Sequence, residues 1–326
     1  MSIHYGVIGT GPVGRVFAGL LRQAGHRVSV LAHRAQTQQI LQRRPVVVKG
    51  KLEAYAQLQD VVLETGDFVR AAPDVVLLCT KSVDSEHVLR TLREHAPKPG
   101  MLFVSCQNGI GTERVIEAVF GRERALRIVL NMGCDVSCGN EVIVTFCTTH
   151  VMGRSPHVDP ARIAAIAADL KDSGLPLELR DDWREDVFRK ALLNASLGSM
   201  CAVTRHCMGC VMGQPEARAM VEDMLREGMA ICSAEGIELG PDFLGFAMHY
   251  LDQGGEHIHD HPAAEQGGDV GHVVGRGNFD HLHAVQPFAG DEAEHPQRLA
   301  RGQATRLGRA GAGGERGIER VDVERE

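Results

Sequence analysis

A glycine-rich loop between a short apolar run and a helical pattern constrains the fold of this 326-residue chain more than any other feature. Residues 3–8 are mostly apolar, and residues 9–14 read Gly9-Thr10-Gly11-Pro12-Val13-Gly14. Apolar residues then recur at helical spacing before a second apolar run at 28–31. A strand, a glycine turn, a helix and a strand form a βαβ unit, whose crossover is right-handed almost without exception. The order predicts an α/β fold with a mostly parallel sheet.

A loop of this kind can bind the diphosphate of a dinucleotide. Gly9 permits the tight turn, Gly11 lets the backbone approach the phosphates, and Gly14 lets the helix and the strand pack closely. The helix N-terminus adds N–H groups that can bind anionic oxygens. We therefore expect residues 9–14 to bind a dinucleotide in a Rossmann-type domain, the alternative being a purely structural turn.

The end of the second strand indicates which dinucleotide is expected. An NAD site usually has a carboxylate there to accept a hydrogen bond from the ribose 2′-hydroxyl. This chain has Ala32-His33-Arg34 instead. A guanidinium at that position can bind a 2′-phosphate, so we expect NADPH, with Arg34 contacting its phosphate. In the alternative interpretation, Arg34 is a solvated charge at the start of the next helix.

The alternation of strand and helix patterns continues to about residue 180. Expected strands lie at 46–48, 61–63, 75–79, 101–105, 127–130 and 142–146, and expected helices at 83–92, 112–120 (capped by Thr112) and 161–170. From residue 181 to 251 the apolar spacing is helical, with helices beginning near Asp182, Pro215 and Pro241. These patterns predict a dinucleotide-binding domain at 1–180 and an all-helical substrate domain at 181–252.

The last 74 residues, 253–326, have a different composition. They contain no Lys, Cys or Met, but 14 of the 37 glycines, and only 13 of them are Leu, Ile, Val or Phe. That apolar fraction is close to the range in which a core can no longer form. We expect this segment to be an atypical Gly/His-rich tail.

Charge and cysteine usage exclude several classes of protein. The net charge is −7, with 35 basic against 42 acidic residues, so neither a nucleic-acid nor an anionic-membrane partner is expected. No apolar run approaches the roughly 18 residues of a membrane span, and we expect no signal peptide ahead of the first strand. Nine irregularly spaced cysteines do not suggest a disulfide framework. A cytoplasmic protein is expected.

Two polar residues follow strands predicted to be buried. Lys81 comes just after 75–79, and Asn108 just after 101–105. Ligands of open α/β sheets bind outside the carboxyl ends of the strands, so both residues are expected at the site. In the alternative interpretation, Lys81 is an exposed charge and Asn108-Gly109 an ordinary turn.

Lys190 and Asn194 are four residues apart on the helix that begins near Asp182, so their side chains share a face. Trp183 and Val187 lie on the same stripe. A lysine beside these apolar residues is expected to face an interior or a cleft, unless it extends past them to solvent.

These motifs together resemble the ketopantoate reductases (2-dehydropantoate 2-reductases) over residues 1 to about 250. The matching segments are Gly9-Thr10-Gly11-Pro12-Val13-Gly14, Arg34, Cys79-Thr80-Lys81, Gln107-Asn108-Gly109-Ile110-Gly111-Thr112 and Arg189-Lys190-Ala191-Leu192-Leu193-Asn194. They occur in the family's order and at about its spacing. The glycine loop is shared by many dehydrogenases, whereas the other segments are much more specific.

The resemblance implies an NADPH-dependent oxidoreductase that reduces the ketone of 2-dehydropantoate to pantoate, in pantothenate biosynthesis. Lys190 would be the catalytic residue, with Asn108 and Asn194 binding substrate, and Lys81 and Asn108 lying beside the cofactor. No metal is required, and a homodimer is an expectation. The alternatives are a reductase of another 2-oxo acid and a catalytically impaired NADPH-binding paralogue.

Two departures from the family pattern are visible. Gly198 stands where the family usually has a second Asn, four residues after Asn194. The Ser and Glu that contact substrate in the family's last helices have no counterpart after Leu251, where the segment 254–260 follows. We therefore hypothesise that the tail from about residue 260 is read out of the ancestral frame. The alternative is a genuine extension.

The motif Cys207-Met208-Gly209-Cys210, with Cys201 nearby, invites a metal or redox interpretation. No second cysteine pair at zinc-finger spacing follows it. We expect these cysteines to be buried in the packing of the helical domain.

Overall fold

The computed structural model of the chain describes residues 3–137 and 141–254. The strands in these ranges are β1 (His4–Ile8), β2 (Arg27–Leu31), β3 (Val46–Gly50), β4 (Ala54–Ala56), β5 (Asp60–Val62), β6 (Val75–Leu78), β7 (Leu102–Ser105), β8 (Ala125–Val129), β9 (Met132–Val136), β10 (Glu141–Cys147), β11 (His150–Gly153) and β12 (Leu177–Arg180). The α-helices are α1 (Pro12–Gln23), α2 (Ala35–Arg43), α3 (Thr65–Arg70), α4 (Ser85–Glu94), α5 (Thr112–Phe120), α6 (Pro160–Asp172), α7 (Trp183–Leu193), α8 (Ser199–Thr204), α9 (Met208–Met212), α10 (Pro215–Ala234) and α11 (Phe243–Gly254).

Eight strands form the main sheet, in the order β12-β11-β8-β7-β6-β1-β2-β5. All neighbours from β8 to β5 are parallel, whereas β11 runs antiparallel to β8. The chain moves outward from β1 through β2 to β5 and then returns to the other side of β1 at β6. This reversal is the topological switch point, where ligands of doubly wound sheets bind. The predicted Rossmann-type, mostly parallel sheet is confirmed.

The central strands are buried along their whole length, as expected for a sheet covered on both faces. One face contributes to a core that includes Tyr5, Val7, Leu77 and Val104, and the other to a core around Phe68 and Phe103. Because such strands read as continuous apolar runs, their positions are predicted to within two residues at each end.

A separate four-stranded sheet, in the order β4-β3-β10-β9, is the main architectural feature that the sequence patterns do not predict. The patterns predict β3 and β10 as strands, but β4 has only three residues and β9 is mostly half-buried or exposed. Helix α1 packs against this sheet at Gly19, where an added Cβ would lie 3.4 Å from side-chain atoms of Val46 and Ala54.

On the sheet side one local prediction is wrong and one helix is present with a shifted start. Thr112 does not cap α5, because Gly111 occupies the cap position and the Thr112 hydroxyl forms a 2.6 Å hydrogen bond with the hydroxyl of Ser105. The helix expected at 83–92 begins as a single 3₁₀ turn at Ser82–Asp84, and the α-helix starts only at Ser85.

From Trp183 to Gly254 the chain is helical, and the part of this stretch that the structure describes contains no strand. A π-helical turn, Asn194–Gly198, separates α7 from α8. Pro215 begins α10 as expected, whereas α11 begins at Phe243, two residues after Pro241. No helix among the described residues has the length and apolarity needed to cross a membrane. Gln253 and Gly254, which were expected to begin the tail, instead end α11. The rest of the expected tail, 255–326, lies outside the described residues.

The helical part has its own apolar core. Its buried residues are Phe188, Leu197, Met200, Cys201, Val211, Met212, Val221, Leu225, Cys232, Ile237, Leu239, Phe243, Ala247, Met248 and Leu251. A smaller cluster of Val129, Val151 and Val187, with Trp183 packed against it, joins α7 to strands β8 and β11 of the main sheet. Helix α7 is therefore anchored directly on the sheet.

Candidate active site

The glycine loop follows β1 at the switch point, and its three glycines have different surroundings. Gly9 has a φ of +102°, and a Cβ there would lie 2.6–2.7 Å from backbone atoms of Cys79 and Thr80. A Cβ at Gly14 would lie 1.9 Å from the carbonyl oxygen of Gly9. At Gly11, by contrast, a Cβ would meet no described heavy atom within 4 Å. Protein packing therefore requires Gly9 and Gly14 to be glycine, whereas the space beside Gly11 is open.

Helix α1 begins directly at this open space. Gly11 occupies its N-cap, Pro12 and Val13 form its first turn, and its cap has no side-chain hydrogen bond. Thr10 is buried, and its carbonyl accepts a 2.9 Å hydrogen bond from Nε of Arg15. An open helix N-terminus beside a glycine is the arrangement that accepts a diphosphate, so the loop fits a dinucleotide.

The loops after β6 and β7 are joined by the buried side chain of Gln107. Its amide nitrogen donates to the carbonyl oxygen of Thr80 at 2.8 Å and to the hydroxyl of Ser85 at 2.7 Å. Lys81 follows Thr80 and is exposed, and Asn108 follows Gln107 and is half-buried. The structure thus brings the loops that carry Lys81 and Asn108 to the same edge of the sheet.

Arg127 of β8 fixes the other side of the loop that carries Asn108. Its guanidinium donates to the carbonyl oxygens of Gln107 at 2.9 Å and Gly109 at 2.8 Å, and pairs with Glu113 at 3.2 Å. The Arg127 side chain is only 3% exposed. Burial lowers its pKa, and the Glu113 carboxylate opposes that shift. The loop is therefore held by a buried charged group rather than by turn geometry alone.

Helix α7 directs Lys190 toward the same edge. The indole of Trp183 lies against Gly153, where a Cβ would be 2.7 Å from ring atoms, and Val187 packs one turn further along. Lys190 continues this stripe, and its ammonium donates to the carbonyl oxygen of Leu130, the residue after β8. The expected inward orientation of Lys190 is confirmed.

The environment of the Lys190 amine brings its proton equilibrium close to neutral pH. Burial, reinforced by the positive charge of Arg127, lowers the pKa of Lys190 to about 7. Such a group can both donate and recover a proton near neutral pH, as a general acid must. The thiol of Cys134 is also close, and burial raises its pKa to about 12, so it stays protonated.

His150 at the start of β11 is fully buried near Lys190. Burial, with a further contribution from Lys190, lowers the pKa of His150 to about 4. Its Nδ1 accepts a 2.9 Å hydrogen bond from the backbone N–H of Asn131, as a neutral ring can. The ring thus adds no positive charge beside the amine.

Asn194 opens the π-helical turn, and its side chain is exposed. Single π-turns inside helical segments occur frequently at functional sites. Gly198 ends the turn, and a Cβ there would meet no described heavy atom within 4 Å. The missing second asparagine therefore leaves open space rather than a repacked core.

Arg34 precedes α2, close to the end of β2, which is the neighbour of β1 in the sheet. Its side chain is exposed, as is that of His33. This placement fits both interpretations, since the residue is at the correct sheet edge and also at the start of a helix.

Other candidate features lie elsewhere. Cys201 is buried, but Cys207 is half-buried and Cys210 is exposed, so the expectation that all three pack in the interior is wrong. A surface cavity lined by Lys51, Cys147 and Leu175 includes none of the predicted site residues. Within 3–137 and 141–254 no group of three or more His, Cys, Asp or Glu is arranged to hold a metal ion.

The sequence matches two models of one family. The model described as ketopantoate reductase PanE/ApbA matches residues 5–157, and the model of that family's C-terminal part matches residues 182–262. The chain belongs to the ketopantoate reductase family. The second match reaches past residue 250, where the resemblance was expected to end.

The individual proteins that this chain resembles are distant from it in sequence. The 2-dehydropantoate 2-reductase of Halobacterium salinarum is 22% identical over 233 residues, covering 72% of this chain and 76% of the relative. The solved 2-dehydropantoate 2-reductase of Geobacter metallireducens has a TM-score of 0.71 at 20% identity, covering 78% of this chain and 84% of that one. A D-mandelate dehydrogenase solved with NADH and anilino(oxo)acetate has a TM-score of 0.65 at 21% identity. The match covers 76% of this chain and 79% of that one.

Sequence reasoning missed three residues that shape this edge of the sheet, namely Gln107, Arg127 and His150. Gln107 lies in a motif of the family resemblance, but only the fold shows that it joins two loops. Arg127 and His150 are polar residues in otherwise apolar strand patterns. A polar residue in such a pattern is the sequence signal that indicates a functional or anchoring role.

Proposed function

We propose that this chain is an NADPH-dependent reductase of a 2-oxo acid, with 2-dehydropantoate as the substrate and pantoate as the product. The observation that carries the proposal is the Lys190 amine, which α7 holds at the carboxyl edge of a sheet whose glycine loop is open beside Gly11. Membership of the ketopantoate reductase family supports the same assignment.

In this proposal the glycine loop, residues 9–14, holds the diphosphate of NADPH at the N-terminus of α1. Arg34 binds the 2′-phosphate, and Lys81 and Asn108 lie beside the cofactor. The open space at Gly11 and the absence of an acid at 32–34 support these assignments. When bound, the cofactor supplies a hydride to the carbonyl carbon of the substrate.

The chain's own contribution is to the carbonyl oxygen. As negative charge develops on that oxygen, the Lys190 ammonium stabilises it and donates a proton. A pKa near 7 suits this role because the protonated form is populated at neutral pH and transfers its proton readily. Asn108 and Asn194 orient the polar groups of the substrate, and Arg127 holds the loop that carries Asn108.

A second candidate is the reduction of a different 2-oxo acid. The related D-mandelate dehydrogenase was solved with anilino(oxo)acetate, an aryl-substituted 2-oxo acid analogue, and with NADH. Gly198 leaves open space one π-turn from Asn194, which favours a bulkier substituent than a second asparagine would allow. A catalytically impaired NADPH-binding paralogue is the third outcome that an assay must distinguish.

An oxidation assay with a panel of substrates separates these candidates. The full chain is mixed with NADPH or NADH and with 2-dehydropantoate, phenylglyoxylate or pyruvate, and absorbance of the reduced nicotinamide is followed. We expect the largest kcat/KM with NADPH and 2-dehydropantoate. A preference for phenylglyoxylate supports the second candidate, and cofactor binding without oxidation supports the third.

A matched pair of glycine variants tests whether the loop binds the cofactor. Gly11→Ala places a methyl group in open space, so the protein should fold normally while its Kd for NADPH rises by about tenfold or more. Gly14→Ala forces a methyl group against the Gly9 carbonyl oxygen and should lower the Tm instead. Unchanged NADPH affinity in folded Gly11→Ala would contradict the assignment.

We further propose that residues 1–180 form the cofactor domain and 181–252 the substrate domain, since the strands end at Arg180 and a second core begins with α7. A cytoplasmic location and a homodimer remain parts of the proposal, and sedimentation of the purified chain tests the latter.

A further inference from the structure

The Cys207–Cys210 pair lies outside the proposed active site and is not used by the proposed reaction. The two cysteines are three residues apart at the start of α9, separated by Met208 and Gly209. Among the cysteines that the structure describes, Cys210 alone is exposed, and Cys207 is half-buried. The pair is therefore accessible to small molecules, unlike the buried Cys201 and Cys232.

The geometry of the pair places the sulfurs in direct contact. The Sγ atoms of Cys207 and Cys210 are 2.7 Å apart, and the Cys207 Sγ also accepts a 3.3 Å hydrogen bond from the backbone N–H of Cys210. Residues three apart in a helical turn are neighbours on one face. The sulfurs of a disulfide are about 2.0 Å apart, so rotation of the two side chains about their Cα–Cβ bonds can bring sulfurs already in contact to bonding distance.

We propose that Cys207 and Cys210 are a reversible dithiol–disulfide modification site that reacts with small-molecule disulfides. The Cys207 thiolate attacks one sulfur of the small disulfide, forming a mixed disulfide and releasing one thiolate, which takes up a proton. Cys210 then loses its proton and attacks the Cys207 sulfur, which closes the protein disulfide and releases the second thiol. The protein loses two hydrogen atoms in total, and the small disulfide gains them.

The order of attack follows from the contacts of the two sulfurs. A Cys207 sulfur that attacks as the thiolate keeps the hydrogen bond that it accepts from the backbone N–H of Cys210. The hydrogen bond with Cys207 raises the pKa of Cys210, so Cys210 is the thiol that stays protonated until the second step. Thiolates are the attacking species in such exchange.

Mass spectrometry tests the proposal on the whole chain. The protein is incubated with oxidised glutathione, remaining thiols are alkylated at low pH, and trypsin is added. Trypsin cleaves after Arg205 and Arg218, so Cys207 and Cys210 lie in one peptide, 206–218, and Cys201 lies in the preceding peptide, 191–205. We expect peptide 206–218 to be lighter by two hydrogen atoms, to carry no glutathione, and to regain alkylation after treatment with dithiothreitol.

Two variants provide the matched controls. Cys210→Ser removes the resolving thiol, so we expect glutathione to remain attached to Cys207 in peptide 206–218. Cys201→Ser removes the buried neighbour and should leave the result unchanged. The proposal is overturned if the wild-type peptide keeps a glutathione, if it is joined to peptide 191–205, or if both thiols remain fully available for alkylation.

Discussion

The sheet and the helical part of the molecule each contribute a buried cation to the same edge, and they treat it differently. Arg127 of β8 is held by two loop carbonyls and by the carboxylate of Glu113. Lys190 of α7 donates to the carbonyl oxygen of Leu130, and no carboxylate among the described residues pairs with it. The comparison shows how one cation stays charged and structural while the other can exchange its proton.

The parts of the fold that carry Arg127 and Lys190 also differ. The central strands are buried on both faces, whereas the helical part contains a π-turn and several exposed apolar side chains. Chemistry that depends on a movable proton is thus placed on the helical side, and loop positioning is placed on the sheet. Variants on each side of the site test that division.

Replacement of the proton donor should have the largest effect. Lys190→Met retains most of the side-chain volume but cannot donate a proton, so we expect kcat for 2-oxo acid reduction to fall by about 10²–10⁴-fold. The Kd for NADPH should change by less than about threefold, because the glycine loop remains intact. Steady-state kinetics and fluorescence titration measure the two quantities.

The stability of this variant sharpens the comparison. A buried amine without a carboxylate partner destabilises the folded state, so the Tm of Lys190→Met should not fall. A large loss of Tm, or an equal loss of kcat and of NADPH affinity, would show that Lys190 is structural in the way that Arg127 is.

Removal of the sheet-side cation should act mainly on folding. Arg127→Met leaves Glu113 and two carbonyl oxygens without their partner, and we expect the free energy of unfolding to fall by about 3–5 kcal/mol. Urea denaturation measures the change, and Arg127→Lys is the control that retains the charge but not the fork of donors. A fully stable Arg127→Met protein with normal activity would contradict the anchoring role.

Loss of the expected phosphate contact should have the smallest effect. Arg34→Ala removes an exposed guanidinium, and we expect the preference for NADPH over NADH to narrow by about tenfold, equivalent to about 1.4 kcal/mol. The ratio of the kcat/KM values for NADPH and NADH measures this preference. His33→Ala is the neighbouring control, and an unchanged ratio in Arg34→Ala would assign the phosphate to another residue.

The sequence predicts the main sheet better than the second sheet. Buried parallel strands and the glycine loop are local signals, so the main sheet and the position of residues 9–14 are predictable. The second sheet is not, because its short and half-exposed strands lack a continuous apolar run. Helical spacing predicts Thr112 as a cap, but its hydroxyl instead forms a hydrogen bond with the hydroxyl of Ser105, seven residues earlier in the sequence.

The candidate active site is likewise predicted where the signal is local and missed where it depends on contacts between distant residues. The stripe of Trp183, Val187 and Lys190 predicts an inward lysine from helical spacing alone. The roles of Arg127 and His150 depend on contacts between residues 14 to 20 positions apart in sequence, which only the folded chain brings together. The exposure of Cys210 likewise depends on packing that spacing does not specify.

The pH dependence of kcat/KM for NADPH-dependent reduction of 2-dehydropantoate tests the central claim most directly. Lys190 donates only when protonated, and burial lowers its pKa to about 7, so activity should decline as the pH rises through that value. In Lys190→Met the residual rate should be low and should lack this decline. A wild-type profile that is flat from pH 6 to 9 (roughly the range over which a group of pKa near 7 titrates), or the same decline in Lys190→Met, would contradict the assignment of the proton donor.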